Sequence, residues 1–166
     1  MQLKINFPIY PLYPPLNEAM HGVIKNIELP PIVPTSQNYR VDTLKKITDV
    51  YSRMGKLYVY DGYSDCTIWG PPEENITFRA WHDYIHITEQ LDFTPEGEHD
   101  VMVIQQKQVQ DYMTAAEYPA NVIDICVNLL EAEVDGQVQY LSEHGSFPED
   151  QVQFTQQYMR KKGYSL

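Results

Sequence analysis

Residues 75–90 read NITFRAWHDYIHITEQ and hold the clearest helical pattern of the chain. At about 100° per residue, a set of mainly apolar side chains falls on one side of a helix. These residues are Phe78, Trp81, Ile85 and Thr88. His82 and His86 are one turn apart and lie on or beside the same side. The pattern therefore predicts a helix that packs inward and carries two imidazoles at its buried face.

Two neutral imidazoles at positions i and i+4 can reach one metal ion from a single helical face. Glu89 follows His86 by three residues, so it lies near both histidines on the same helix. The next predicted helix offers further third ligands, which are Glu96, Glu98 and His99. Two histidines with one carboxylate suit zinc or non-haem iron. The sequence predicts a metal site of His82 and His86, completed by Glu98 or Glu89.

The five residues 82–86, HDYIH, resemble in spacing the helix of the zinc-dependent peptidases, whose pattern is H-E-x-x-H. In those enzymes the glutamate is the general base, so the resemblance implies a role for Asp83 as base or as an orienting group. The chain departs from the pattern, because Asp is one methylene shorter and no x-x-G-x-x-H follows His86. Hydrolysis through an activated water is the commonest use of such a site.

The same helix, together with the helix predicted after it, resembles small uncharacterised proteins encoded by bacteriophages. The resemblance rests on the pattern F-R-x-W-H-D-x-x-H. The matching residues are Phe78, Arg79, Trp81, His82, Asp83 and His86. The resemblance implies a location in the host cytoplasm and brings no catalytic residues with it.

Other interpretations of the histidine pair stay open at this point. Histidines on a half-apolar helix face can be hydrogen-bonded core residues, or part of a metal-free acid/base or ligand pocket. A bound ion can also have a purely structural role, in which it links two helices. A different class of function is a non-enzymatic interaction protein, such as a viral assembly or host-modulating factor. Its functional parts would be the acidic surface, the thirteen tyrosines and the apolar N-terminal arm, through which it would bind a protein partner or itself.

Composition limits the class of protein. A chain of 166 residues has enough length for one domain with a core. Twelve basic against 23 acidic side chains give a net charge of −11, which argues against binding to nucleic acid. Two cysteines without a CxxC pair fit a reducing compartment, so a cytoplasmic protein is expected. The sequence has neither an apolar run of about 18 residues nor a secretory signal, so no association with a membrane is expected.

Seven of the twelve prolines lie in residues 1–35, interleaved with apolar residues. Proline fixes φ and biases the preceding residue to extended geometry. We therefore expect an extended arm over residues 1–35, packed on the body or on a neighbour, to which residues 17–26 could add a short helix. The remaining residues, 36–166, are predicted to form a helical domain.

Capping residues and apolar periodicity predict helices over 41–54, 75–90, 94–113, 119–143 and 146–162. Residues 56–69 contain two short β-rich runs around Asp61-Gly62 and predict a small β-hairpin. The predicted fold is thus mainly α, a single domain of four or five helices with a small β-hairpin and an extended Pro-rich N-terminal arm.

Overall fold

The computed structural model describes residues 10–166, so the first nine residues of the predicted arm lie outside the described part of the chain. The described residues form a mainly α single domain, as predicted. Its helical segments are α1 (Pro14–Ile27), α2 (Leu44–Met54), α3 (Pro72–Glu89), α4 (Pro95–Ala115), α5 (Ala120–Glu131), α6 (Gln137–His144) and α7 (Gln151–Lys161). A π-helical turn (Ala132–Gly136) joins α5 to α6 in one continuous helix. The described part of the chain therefore has six helices rather than four or five. None of its helices has the length and apolar content needed to cross a bilayer.

The helix starts follow local capping chemistry. Thr94 caps α4 as predicted, because its side chain accepts a hydrogen bond from the first turn. In α2 the cap is Thr43, whose side chain accepts a hydrogen bond from the N–H of Lys46. Asp150 caps α7, which begins after the predicted position at Ser146.

The predicted β-hairpin is wrong. Strand β2 (Leu57–Tyr60) pairs in parallel with β1 (Ile32–Thr35), with Ile32 opposite Leu57. The returning strand expected near Cys66 does not form. Trp69 is instead fully buried in an irregular segment and stacks on Phe78, with ring centroids 4.4 Å apart. Pro34 is tolerated in β1 because a two-stranded sheet has only edge strands, where a missing N–H need not break the pairing.

The N-terminal segment is less extended than the prolines suggested. Pro14 and Pro15 begin helix α1. Proline is tolerated there because the first N–H groups of a helix have no hydrogen-bond partner within it. One face of α1 is buried in the core through Leu16, Ala19, Met20 and Val23. Helix α4 passes close to α1 at Gly22, where an added Cβ would lie 2.0 Å from the Cζ of Tyr112. From residue 14 onward, the segment therefore packs on the body of its own chain.

Helix α3 lies between two apolar clusters. Phe78, Trp81 and Ile85 belong to the larger cluster, which also draws on α1, α4 and α5. Ala80 and Ile87 belong to the smaller cluster, beside the sheet and α2. Contacts on both sides fix the rotation of α3 about its axis. The side chains between the two faces, including His82 and His86, are thereby directed toward α4.

Candidate metal centre

A short connection brings the start of α4 beside the end of α3. Gln90 ends α3 in the left-handed conformation, with φ of 54°. Gly97, in the first turn of α4, sits against the preceding loop, where an added Cβ would lie 1.9 Å from the carbonyl oxygen of Asp92. Any larger residue would push the two segments apart. Because α4 runs back along α3, its first turn places Glu98 next to the histidines of α3.

His82, His86 and Glu98 form a compact group of potential ligands. Nε2 of His82 lies 3.1 Å from Nε2 of His86 and 2.8 Å from Oε2 of Glu98. Nε2 of His86 lies 3.5 Å from Oε1 of Glu98. Ligand atoms about 2.0–2.1 Å from one ion would lie about 2.9 Å apart in an octahedral site and about 3.3 Å apart in a tetrahedral one. The separation of the two Nε2 atoms falls between these values, and the oxygens of Glu98 lie 2.8 Å from one Nε2 and 3.5 Å from the other, so the group is compact enough to surround a small divalent ion.

The other nitrogen of each imidazole is already hydrogen-bonded. Nδ1 of His86 lies 2.8 Å from the carbonyl oxygen of Leu91, and Nδ1 of His82 lies 3.1 Å from Oε1 of Gln105. Both oxygens only accept, so both Nδ1 atoms carry the hydrogen. In the neutral rings each Nε2 is then an acceptor, and it faces a second Nε2 and a carboxylate. Only a cation, either an added proton or a metal ion, makes this arrangement favourable.

Burial and charge act against each other at this group. The His86 side chain has no exposed surface, and Glu98 keeps 23% of its own. Burial alone would raise the pKa of Glu98, but hydrogen bonds from His82 and His86 outweigh it and hold that pKa well below its usual range. Burial would likewise lower the pKa of His82, yet the hydrogen bond to Glu98 raises it. The site thus stabilises a carboxylate together with positive charge between the rings.

A cavity of about 530 Å³ adjoins the group and is lined by His82, Asp83 and Glu98, among others. Asp83 is half-buried there, and burial raises its pKa to about 6 although His82 and His86 oppose the shift. Arg79, four residues before Asp83 on α3, donates through Nη1 to the carbonyl oxygens of Tyr60 and Gly62 rather than to Asp83. Asp83 therefore stands beside the candidate ligands and faces the cavity.

Glu133 is a third acidic group on the cavity wall, in addition to Asp83 and Glu98, and the sequence did not single it out. It lies in the π turn, is almost fully buried, and accepts hydrogen bonds from Nε1 of Trp69 at 3.0 Å and Nε2 of Gln137 at 2.9 Å. Burial raises its pKa to about 7, although these donors and Arg79 oppose the shift. The available signals in the sequence were an acidic residue among the apolar residues of the predicted helix 119–143 and the nearby Gly136.

The structure separates the candidate third ligands. Glu98 joins the two histidines, whereas Glu89 is exposed at the end of α3 and lies outside the group. Glu96 is also exposed, and His99 pairs with Asp135 at 2.7 Å across to the π turn. The site thus combines two residues from α3 with one from α4.

Comparisons with protein-family models, curated proteins and solved structures find no match for this chain. The chemistry of the site therefore has to be argued from its own residues. Two imidazoles and one carboxylate, beside a cavity that also holds Asp83, can bind a divalent ion and leave coordination positions free.

Proposed function

We propose that this protein is a metalloprotein that binds zinc or iron(II) through His82, His86 and Glu98, and that it acts as a metal-dependent hydrolase. The observation that carries the proposal is the convergence of two imidazole nitrogens and the Glu98 carboxylate. The two Nε2 atoms lie 3.1 Å apart, that of His82 lies 2.8 Å from Oε2 of Glu98, and that of His86 lies 3.5 Å from Oε1. Each ring is held in the ligating tautomer by a hydrogen bond at Nδ1. Such outer hydrogen bonds are typical of histidines that bind metals.

A catalytic use is favoured over a purely structural ion. Structural zinc sites have four protein ligands, whereas catalytic sites have three and leave a position for water or substrate. Here three ligands converge, and two of them, His82 and Glu98, line a cavity. A bound ion would have its free positions on that side, where it would lower the pKa of a coordinated water.

Asp83 is the residue best placed to assist. It follows His82 directly and faces the same cavity. In the proposed reaction, Asp83 takes a proton from the attacking water and passes it to the leaving group as the scissile bond breaks. An orienting role, in which Asp83 positions that water without taking the proton, is the alternative.

Metal analysis of protein purified without a histidine tag tests the metal site. We expect about one equivalent of zinc or iron after exposure to the ion and removal of excess, and less than a tenth of that in His82→Ala, His86→Ala and Glu98→Ala. His99→Ala is the matched control, because His99 is exposed, one residue from Glu98, and outside the group. Wild-type protein that binds no metal, or ligand variants that keep it, would overturn the proposal.

A second candidate function, non-enzymatic interaction as a viral assembly or host-modulating factor, draws on the surface. Tyr10, Tyr39 and Tyr63 each expose more than 60% of their surface, on a chain of net charge −11. Tyrosine is enriched at protein interfaces because its ring is apolar and its hydroxyl can stay wet. Light scattering on wild-type protein and on a Tyr10→Ser/Tyr39→Ser variant tests self-association. A monomer at all concentrations contradicts self-association.

A further inference from the structure

The cavity beside the candidate ligands has an apolar wall whose residues are not part of the hydrophobic core. Val138 and Leu141, on α6, and Phe147, just beyond it, line the cavity. None of the three belongs to either apolar cluster of the described residues or packs against one as a partly buried neighbour. Val138 and Leu141 are only half-buried, and Phe147 is 44% exposed. Apolar side chains that face a cavity without core partners are available to a ligand.

The opposite part of the lining is polar and rich in acid. Asp83, Glu98 and Glu133 all face the cavity. Arg79 is the one Lys or Arg side chain in the lining formed by residues 10–166, and its Nη1 is occupied by two backbone carbonyls at 2.8 and 2.6 Å. A phosphate or sulfate group would therefore find three carboxyl groups and an Arg79 whose Nη1 and Nη2 already donate to backbone carbonyls. The chemistry of this end favours an uncharged polar group.

We propose that the site accepts a small acyl compound, an amide or ester, whose carbonyl lies at the ligands and whose apolar chain lies along Val138, Leu141 and Phe147. This inference rests on the proposed function, since the carbonyl would be polarised by the bound ion. The cavity of about 530 Å³ is within the usual range of small-molecule sites. It suits an acyl chain of a few carbons rather than a polymer.

The reaction balances as a hydrolysis. The oxygen of water forms a bond to the carbonyl carbon, and the carbon–nitrogen or carbon–oxygen bond breaks. The released amine or alcohol takes one proton from that water through Asp83, and the acid product keeps the apolar chain. No oxidant or further reactant is needed.

Hydroxamic acids provide a probe, because they bind zinc through two oxygens and can carry alkyl chains of any length. Calorimetric titration of the zinc-loaded full chain would compare acetohydroxamic, butanohydroxamic and hexanohydroxamic acid. A methylene that leaves water for an apolar wall is worth about 0.8 kcal/mol, so we expect the dissociation constant to fall about three- to fourfold per methylene. In a Val138→Thr/Leu141→Asn variant the gain with chain length should shrink to less than half, while acetohydroxamic acid binds as in wild type.

Val103→Thr is the matched control, because Val103 is exposed on α4 and does not line the cavity. If acetohydroxamic acid does not bind to the zinc-treated wild type, the proposed metal site itself fails. If it binds but longer chains bring no gain, the metal site stands and the acyl inference is overturned. Tighter binding of butylphosphonate than of butanohydroxamic acid would also overturn the acyl inference. The wild-type series decides these outcomes even if the double variant does not fold.

Discussion

Oε1 of Gln105 lies 3.1 Å from Nδ1 of His82, and the Gln105 side chain is completely buried in α4. The Nε2 of the same amide has no hydrogen-bond partner among residues 10–166. A buried donor without a partner costs about 1–3 kcal/mol, which offsets much of what the hydrogen bond to His82 contributes to folding. We interpret Gln105 as a residue that orients the His82 ring.

Replacing Gln105 with Met should therefore weaken metal binding without weakening the fold. Outer hydrogen bonds to metal-binding histidines typically contribute 10- to 100-fold in affinity, and we expect a loss in that range, about 30-fold, for Gln105→Met. Competition with a chelator of known zinc affinity measures the loss. Thermal unfolding of the metal-free protein should show a midpoint close to that of wild type, because removal of the unpartnered amide N–H offsets the loss of the hydrogen bond at Nδ1 of His82. Gln110→Met, at an exposed position of the same helix, is the control. Equal affinity in the two variants would refute the role given to Gln105.

Gly97 connects the loop geometry to the site. Because a Cβ there would lie 1.9 Å from the carbonyl oxygen of Asp92, Gly97→Ala should displace the first turn of α4 and carry Glu98 away from the histidines. We expect a destabilisation of about 1–3 kcal/mol in chemical denaturation, together with weaker metal binding. Glu96→Ala, at the exposed neighbouring position, should change neither quantity. A Gly97→Ala protein with wild-type stability and metal content would contradict the close packing of this loop.

Glu133 should make stability depend on pH near neutrality. Burial raises its pKa from 4.5 to about 7 in the folded protein. Between these values the unfolded chain releases a proton that the folded chain keeps, so stability falls as pH rises and levels off above about pH 7. Removing the group by Glu133→Gln should remove this loss.

The measurement is the unfolding free energy of wild type and Glu133→Gln at several pH values. From pH 5 to pH 8, the difference between the two should shift by about 2–3 kcal/mol in favour of the variant, since one pKa unit corresponds to about 1.4 kcal/mol. Glu149→Gln, at an exposed position, serves as the control and should follow wild type at every pH. A constant difference between Glu133→Gln and wild type would show that Glu133 is ionised in the folded protein throughout this range.

Local signals in the sequence were enough to predict α3, α4 and the inward direction of His82 and His86. The apolar stripe and the cap at Thr94 depend on residues a few positions apart, and such patterns survive folding. They also named Glu98 as one of two third ligands. Whether Glu98 or Glu89 joins the histidines depends on how α4 packs against α3. The periodicity of the sequence carries no information about that packing.

The features that the sequence did not predict depend on distant contacts. Strand β2 has the alternation of a strand, but its partner β1 is 25 positions earlier, as the pairing of Ile32 with Leu57 shows. From the sequence alone, Glu133 is one acidic residue on a predicted helix. In the structure, the π turn places it within hydrogen-bonding distance of Trp69, Gln137 and Thr155. In both cases tertiary packing decided between local alternatives of similar propensity.

Helix α1 emerges from the ribosome first among the described helices, yet its buried face packs mainly with α4, which begins only at Pro95, and less with α3 and α5. During synthesis Leu16, Ala19, Met20 and Val23 therefore lack their main packing partner until more than half of the chain has been made. A nascent chain stalled before α4 would expose this apolar face of α1, and chaperones bind such exposed apolar surface. The order of synthesis thus differs from the order of packing, because the first of the described helices cannot be fully covered until α4 has been made.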